Sequence, residues 1–196
     1  MFNDLSSSLR PAIVMAILFA ILLGLAYPLL VLGIGQAAFP GQANGSLVRD
    51  GGKIVGSTVV GQSFSSDRYF QTRPSAAGKG YDGLSSSGSN YGPTSQALAD
   101  RVKADVEKAH ATGVTGELPA DLVTASGSGL DPDLSPEAAL VQAPRVARAR
   151  GLPEARVRAL VEGAVERPLL GFLGEPRVNV FGLNRQLDRL GSNQER

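Results

Sequence analysis

The chain contains no cysteine and only one histidine, His110, among its 196 residues. The absence of cysteine excludes disulfides and a thiol nucleophile, although a domain of this size can hold a core without covalent cross-links. A Ser-His-Asp triad would have to use His110, and the Gly-x-Ser-x-Gly turn that exposes a nucleophilic serine is absent. We instead expect His110 in the last turn of a helix, where a cation meets the negative end of the helix dipole.

Motifs that bind nucleotides or calcium are also missing. No stretch has the spacing of a phosphate-binding P-loop, and the Asp-Lys-Thr-Gly run of a phosphorylated ATPase is absent. An EF-hand loop opened by Asp131 would need glycine in place of Pro136 and glutamate in place of Gln142. For Asp131 and Asp133 we expect hydrogen bonds to backbone N–H groups in a turn. We predict that the chain is not an enzyme by itself and binds no metal or cofactor of its own.

The chain also has almost no net charge. Its 19 lysines and arginines nearly balance 18 aspartates and glutamates, which leaves a formal charge of +1 at pH 7. A nucleic-acid-binding domain needs a clustered excess of positive charge to neutralise phosphates. The sequence therefore does not predict a nucleic-acid partner.

A long stretch near the N-terminus lacks charge altogether, since no Asp, Glu, Lys or Arg occurs from Pro11 to Val48. Within it, residues 12–34 are 23 predominantly apolar residues. As a helix they would extend roughly 35 Å, enough to cross a hydrocarbon core of about 30 Å. The alternative is a cleaved secretory signal, with Gly35-Gln36-Ala37 as a small-x-small site. The run is longer than a signal's apolar region and only Arg10 precedes it, so we predict a transmembrane helix, bent by Pro28.

Arg10 and the uncharged far flank set the expected orientation. The next positive residue after the span is Arg49, so the positive-inside rule places the short N-terminus in the cytoplasm. We predict a cytoplasmic N-terminus at 1–11, a transmembrane helix at 12–34, a juxtamembrane linker at 35–45 and a soluble domain at 46–196. The protein is then a single-pass protein of the cell inner membrane, with its soluble domain extracytoplasmic.

The soluble part combines strand and helix signals without a repeating βαβ rhythm, which predicts an α+β fold in one mixed domain. Gly51-Gly52 supplies the positive φ angles of a tight hairpin, and residues 62–70 are a third extended segment. We expect helices at 93–110, after the cap Ser135, from Pro153 and around Leu187, and a strand that includes Val178 and Val180.

Two loops are too rich in glycine and serine to bury much apolar surface. The first, 72–95, holds five glycines and six serines in 24 residues, and the second follows Thr124. Loops of that length are usually disordered or functional. We expect contacts with a partner protein to order 73–90 and 126–131. The candidate contact residues in them are Arg73, Asn90, Ser126, Gly127, Ser128, Gly129 and Asp131.

Gln142 and Arg145 are three residues apart and should share a helix face. One interpretation is a solvated polar surface. The other is a contact with an anion or with a partner's carboxylate, for which the planar arginine fork is well suited. Both residues are therefore candidate functional or partner-contact residues, while no residue is a catalytic candidate.

Several short motifs together resemble one known family. They are Gln62-Ser63-Phe64, Tyr69-Phe70, Arg73-Pro74-Ser75-Ala76, Ser87-Gly88-Ser89-Asn90, the run VTASGSGLDP from Val123, and GEPRVNV from Gly174. The chain is similar, over nearly its whole length, to the C subunit of the bacterial Kdp-type potassium-transporting P-type ATPase. The last two runs in combination are the most specific part of the likeness.

The resemblance implies a non-catalytic accessory subunit of an ATP-driven, high-affinity potassium uptake complex, supporting assembly and stability. Its implied partners are a channel-like potassium-translocating subunit, a catalytic P-type ATPase subunit and a small membrane peptide. The resemblance also implies a role in ATP binding by the complex through the glutamine that matches Gln142. The predicted topology opposes that role, because a domain outside the membrane does not meet cytosolic ATP. The alternative hypothesis is a membrane-anchored extracytoplasmic ligand-binding or sensor module.

Overall fold

The computed structural model describes residues 2–114 and 116–192. Met1, Thr115 and 193–196, which belong to the predicted segments 1–11 and 46–196, lie outside the described residues. The chain forms two compact units, one up to Leu47 and one from Val48 onward.

The first unit is almost entirely helical. Helix α1 (Phe2–Ile21) continues through a π-helical turn (Leu22–Ala26) into α2 (Tyr27–Ala38), and the short α3 (Pro40–Ala43) follows. Residues 7–38 form an apolar helix of 32 residues, long enough to cross a membrane, and none of its most apolar window is buried. The π turn lies just before Pro28, whose missing N–H removes one helical hydrogen bond. The predicted N-terminal apolar helix is confirmed.

The second unit begins with the expected hairpin. Strands β1 (Leu47–Asp50) and β2 (Lys53–Ser57) pair around Gly51 and Gly52, whose φ angles are +53° and +81°. Two consecutive positive φ angles are what a two-residue hairpin turn requires. The third extended segment, predicted at 62–70, forms no strand, because the chain turns at 66–69, where the Tyr69 N–H donates to Ser66 O at 3.1 Å.

A second, antiparallel sheet has the order β3-β5-β4. Strands β3 (Asp133–Leu134), β4 (Val165–Glu166) and β5 (Arg177–Asn179) are short, and Val178 in the central strand lies opposite both Leu134 and Val165. The strand predicted at Val178 is therefore confirmed, but Val180 begins the next helix.

The helices of this unit are α4 (Gln96–Ala111), α5 (Pro136–Leu140), α6 (Ala143–Arg150), α7 (Glu154–Gly163) and α8 (Val180–Ser192), with a 3-10 turn at Ala120–Leu122. Ser135 caps α5 as predicted, since its hydroxyl accepts from the Ala138 N–H at 3.2 Å. Gly151 ends α6 in the left-handed conformation. His110 lies in the last turn of α4, where its Nδ1 is 2.9 Å from the Val114 carbonyl oxygen.

The core is apolar and lies between α5, α6, α7, α8 and the three-stranded sheet. Phe70 enters it from the loop side and is fully buried. Its other large members are Leu134, Val146, Leu152, Val157, Val161, Val178, Val180, Leu183 and Leu187. Together with the hairpin and the sheets, this packing confirms the predicted α+β class.

Candidate functional site

Residues 67–71 belong to a turn and the irregular chain that follows it, and side chains hold them in place of a neighbouring strand. Each of its five backbone carbonyls accepts a hydrogen bond from a side chain of α6, of α8 or of the residue before α6. The donors are Arg145 Nη1 to Asp67 O at 2.8 Å, Arg150 Nε to Arg68 O at 2.6 Å, Arg145 Nη2 to Tyr69 O at 3.0 Å, Asn184 Nδ2 to Phe70 O at 2.9 Å, and Gln142 Nε2 to Gln71 O at 3.1 Å. We call residues 67–71 the clamped segment.

Gln142 is buried, with only 3% of its surface exposed. Its Oε1 accepts from the Gln71 N–H at 2.9 Å and from Arg145 Nη2 at 2.8 Å. Its Nε2 donates to Gln71 O and to Ala138 O, both at 3.1 Å. An amide side chain has two donor hydrogens and two acceptor lone pairs, so all four are used within the chain.

Arg145 is 6% exposed, and its Nη2 reaches Gln142, the residue before α6, as the three-residue spacing predicted. Besides the two carbonyls, Nη1 lies 3.5 Å from the Asp67 carboxylate. Burial lowers the pKa of the Arg145 guanidinium, and the Asp67 carboxylate acts in the opposite direction. Since arginine starts from a very high pKa, the group stays charged, and its hydrogen bonds are of the stronger, charge-assisted kind.

The interpretation of Gln142 and Arg145 as a solvated polar surface is wrong, because both side chains are buried. The groups they contact in the chain are backbone carbonyls, a backbone N–H and the carboxylate of Asp67. Carbonyl oxygens satisfy a guanidinium as a carboxylate would, and they cost less to bury than a second charge.

Two further members of the arrangement are absent from the sequence prediction. Asn184 accepts from the Phe70 N–H at 2.8 Å and donates to Phe70 O, so one side chain replaces a strand partner. Arg150 also pairs with Asp188 at 2.8 Å and lies over the Tyr69 ring, 4.8 Å from its centroid. The sequence does contain a sign that Asn184 is buried. It is a polar residue on the same helix face as Leu183 and Leu187, where an apolar residue is expected.

The two glycine-rich loops contact each other. Ser128 O accepts from the Ser87 N–H and from Ser86 Oγ, both at 3.0 Å, and Ser75 Oγ donates to Gly129 O at 2.6 Å. Each loop thus supplies backbone partners to the other, and ordering of 73–90 and 126–131 by a partner protein stays a prediction.

Arg73 contacts four groups in the same region, one of which is the Thr124 hydroxyl, 3.2 Å from its Nη2. It donates to Thr124 O at 3.3 Å, and its Nη1 lies 3.4 Å from the Asp131 carboxylate and 4.0 Å from that of Asp121. Asp131 Oδ1 also accepts from the Asp133 N–H at 3.0 Å, which is the turn role predicted for it. The structure thus brings Arg73 and Asp131 together.

The remaining candidates in the loops have local roles or stay exposed. Ser126 Oγ accepts from the Gly129 N–H at 2.9 Å, and Ser128 Oγ accepts from the Leu130 N–H at 3.1 Å. Gly127 and Asn90 are exposed, and Asn90 adopts a left-handed conformation with φ of +54°. These residues shape the loops, and the structure does not bring them to Gln142 and Arg145.

Gly129 should not tolerate alanine. Its φ is +67°, and a Cβ atom there would lie 2.6 Å from both the Ala77 nitrogen and the Ser87 oxygen. Because those are backbone atoms, one loop must move, and we expect Gly129→Ala to lower the free energy of unfolding by about 2 kcal/mol. Urea unfolding followed by circular dichroism measures this. Gly127→Ala is the control, since its Cβ would meet open space, and equal losses for the two variants would contradict the packing.

A cleft of about 370 Å³ lies beside Gln142 and Arg145. Helix α4, which has no buried residue, lines one side with Asp105 and Lys108, and the loop residues Phe64 and Tyr81 line another. Asp105 Oδ2 is buried without a hydrogen-bond partner among the described residues. Within residues 2–114 and 116–192, no group of three or more His, Asp or Glu side chains is arranged to hold a metal ion.

Comparison with known proteins identifies the family. The family model of the K+-transporting ATPase c chain, KdpC, matches residues 9–189. A potassium-transporting ATPase KdpC subunit of Caulobacter vibrioides is 60% identical over 183 residues, which cover 93% of each chain. The KdpC subunit of Methylobacterium nodulans is 54% identical, over 93% of this chain and 96% of its own. That of Allorhizobium ampelinum is also 54% identical, over 96% of this chain and 99% of its own. The chain therefore belongs to the KdpC family of potassium-transporting ATPase subunits, as its motifs predicted.

Proposed function

We propose that this accessory subunit supports the assembly and stability of a potassium uptake complex, and that ATP hydrolysis takes place in a partner chain. The observation that carries the proposal is the complete internal use of Gln142. A residue with all four hydrogen-bonding positions filled by its own chain fixes structure and has none left for a ligand. The clamped segment then positions the two glycine-rich loops, whose exposed serines remain available to a partner.

A direct role of Gln142 in ATP binding is disfavoured by the same geometry. To contact a nucleotide, the amide would have to leave the Gln71 backbone and Arg145, and buried groups left without partners cost about 1–3 kcal/mol each. The proposed partners are the channel-like potassium-translocating subunit, the catalytic P-type subunit and the small membrane peptide. Any effect of this chain on ATP use is exerted through them.

We propose a membrane topology that agrees with this view. The apolar helix at 7–38 anchors the chain, with the span proposed at 12–34, the linker at 35–45 and the domain from 46 onward on the outer face of the inner membrane. Arg10 precedes the span, and no charge follows it until Arg49. A domain on that face is separated from cytosolic ATP by the bilayer.

Cysteine labelling tests the topology without background, because the natural chain has no cysteine. Leu84 is 99% exposed, so Leu84→Cys should react with a membrane-impermeant thiol reagent in intact spheroplasts. The matched variant Ser8→Cys, before the span and also exposed, should react only after lysis. The reverse pattern would overturn the orientation.

The cleft supports a second candidate, a ligand-binding or sensor module. Its buried and unpartnered Asp105 oxygen is suited to a hydrogen-bond donor or a cation. A ligand that binds only the folded state raises the unfolding temperature. A rise in Tm of the full chain on adding ATP or potassium chloride would favour this candidate over a purely structural role.

A further inference from the structure

The connection between β4 and β5 exposes a cluster of large apolar side chains. Leu169, Leu170, Phe172 and Leu173 are 70%, 74%, 72% and 52% exposed. We call these four residues the apolar tip. Leu84 is more exposed at 99%, but it stands alone among serines and glycines. A concentrated cluster of highly exposed apolar side chains marks a surface that is covered in use.

Backbone hydrogen bonds fold the apolar tip into a turn. The Gly171 N–H donates to Pro168 O at 3.0 Å, and the Leu173 N–H donates to Leu169 O at 3.0 Å. At the base of the connection, β4 and β5 pair and Arg177 contacts Glu166 at 3.0 Å.

Leu170 adopts a conformation that a leucine rarely takes, with a φ of +56°. Glycine would fit this position without strain, and the adjacent Gly171 shows that the turn uses glycine elsewhere. Backbone strain of this kind persists where the surrounding structure enforces it, often at binding surfaces. The apolar tip therefore presents a leucine where a glycine would be easier to accommodate.

We propose that the apolar tip inserts into the surface of the bilayer that anchors this chain. Its size favours lipid over a protein partner, because a stable protein interface buries about 800 Å² on each side from 20–30 residues. Four side chains on one turn supply only part of that area. Lipid needs no complementary surface, and tethering by the same chain keeps the local concentration of membrane high.

The charges beside the apolar tip fit this assignment. Arg167 precedes it and is exposed, so its guanidinium is placed to meet lipid phosphates while its stem follows the apolar surface. Glu175 follows it and offsets that charge, while Glu166 and Arg177 neutralise each other. The apolar side chains, more than electrostatic attraction, must therefore supply the binding, and contact should persist at high salt.

Fluorescence quenching by lipid tests the proposal on the full chain. Phe172→Cys and the control Leu84→Cys are labelled with a polarity-sensitive fluorophore and reconstituted into phosphatidylcholine–phosphatidylglycerol vesicles that contain a lipid with a doxyl quencher near its headgroup. Both residues are exposed, so neither change removes core packing, and circular dichroism confirms folding. We expect the label at position 172 to shift to shorter wavelength and lose most of its intensity, and the label at position 84 to do neither.

The outcomes separate this proposal from the anchoring on which it rests. If the chain fails to float with vesicles in a density gradient, the anchoring itself is wrong. If it floats but the label at position 172 stays unquenched and water-like, insertion of the apolar tip is wrong. The label at position 172 could also shift to shorter wavelength only in the assembled complex, without quenching by lipid. That result would show that the apolar tip contacts a partner subunit, and it would overturn the proposal.

Discussion

Replacing Arg145 with methionine should lower the free energy of unfolding by about 4 kcal/mol. Methionine fills much of the space but donates no hydrogen bond, so Asp67 O, Tyr69 O and Gln142 Oε1 each lose a charged donor worth about 1.5 kcal/mol or more. The measurement is urea unfolding of the full chain in detergent, followed by circular dichroism. Loss of protection of the clamped segment in hydrogen exchange should accompany it.

Arg158→Met is the matched control for this change. Arg158 pairs with Glu154 at 2.7 Å on an exposed helix face, at a spacing of four residues. Exposed pairs of this kind contribute about 0.3–0.5 kcal/mol. If the two methionine variants lost the same stability, the clamped segment would not depend on Arg145, and the account of the site would fail.

Gln142→Ala should lower the free energy of unfolding by about 3 kcal/mol. It leaves the Gln71 N–H and carbonyl without their partners in a part-buried location and removes one acceptor from Arg145. Hydrogen exchange at the Gln71 amide should accelerate. Gln96→Ala, which removes a single exposed hydrogen bond to Asp100, should stay within about 0.5 kcal/mol of the natural chain.

Gln142→Glu tests the acceptor hydrogen bonds of the amide separately from its donor hydrogen bonds. Glutamate keeps the acceptors for the Gln71 N–H and Arg145, but it has no hydrogen to donate to Gln71 O or Ala138 O. Its stability should lie between those of the natural chain and Gln142→Ala. A loss larger than that of Gln142→Ala would show that a buried carboxylate facing Gln71 O and Ala138 O costs more than its retained acceptor bonds contribute.

Local signals in the sequence predicted the elements that depend on local chemistry. The Gly51-Gly52 turn and the Ser135 cap each work through neighbouring residues, and each lies where predicted. The apolar helix follows from the length of its uncharged run. The clamped segment was missed because its partners lie 71 to 114 residues away in the hydrogen bonds that Gln142 and Asn184 make.

The candidate site was predicted in part. The proximity of Gln142 and Arg145 was evident from their spacing, but burial was not, since polar side chains in helices usually face solvent. Contact of the loops with a partner protein stays a prediction, whereas the hydrogen bond between Ser128 and Ser87 within the chain was not predicted. No sequence pattern distinguishes a serine that binds another loop from one that binds another subunit.

The most direct test of the account is the ATP dependence of the assembled complex that carries Gln142→Ala. The complex is purified through another subunit, its composition is checked, and ATPase activity is measured against ATP concentration, with Gln142→Glu as a milder variant. If Gln142 holds the chain's own backbone, the ATP concentration for half-maximal activity stays unchanged, while less of this subunit is retained on purification. A clear rise in that concentration in a fully assembled complex would contradict the account.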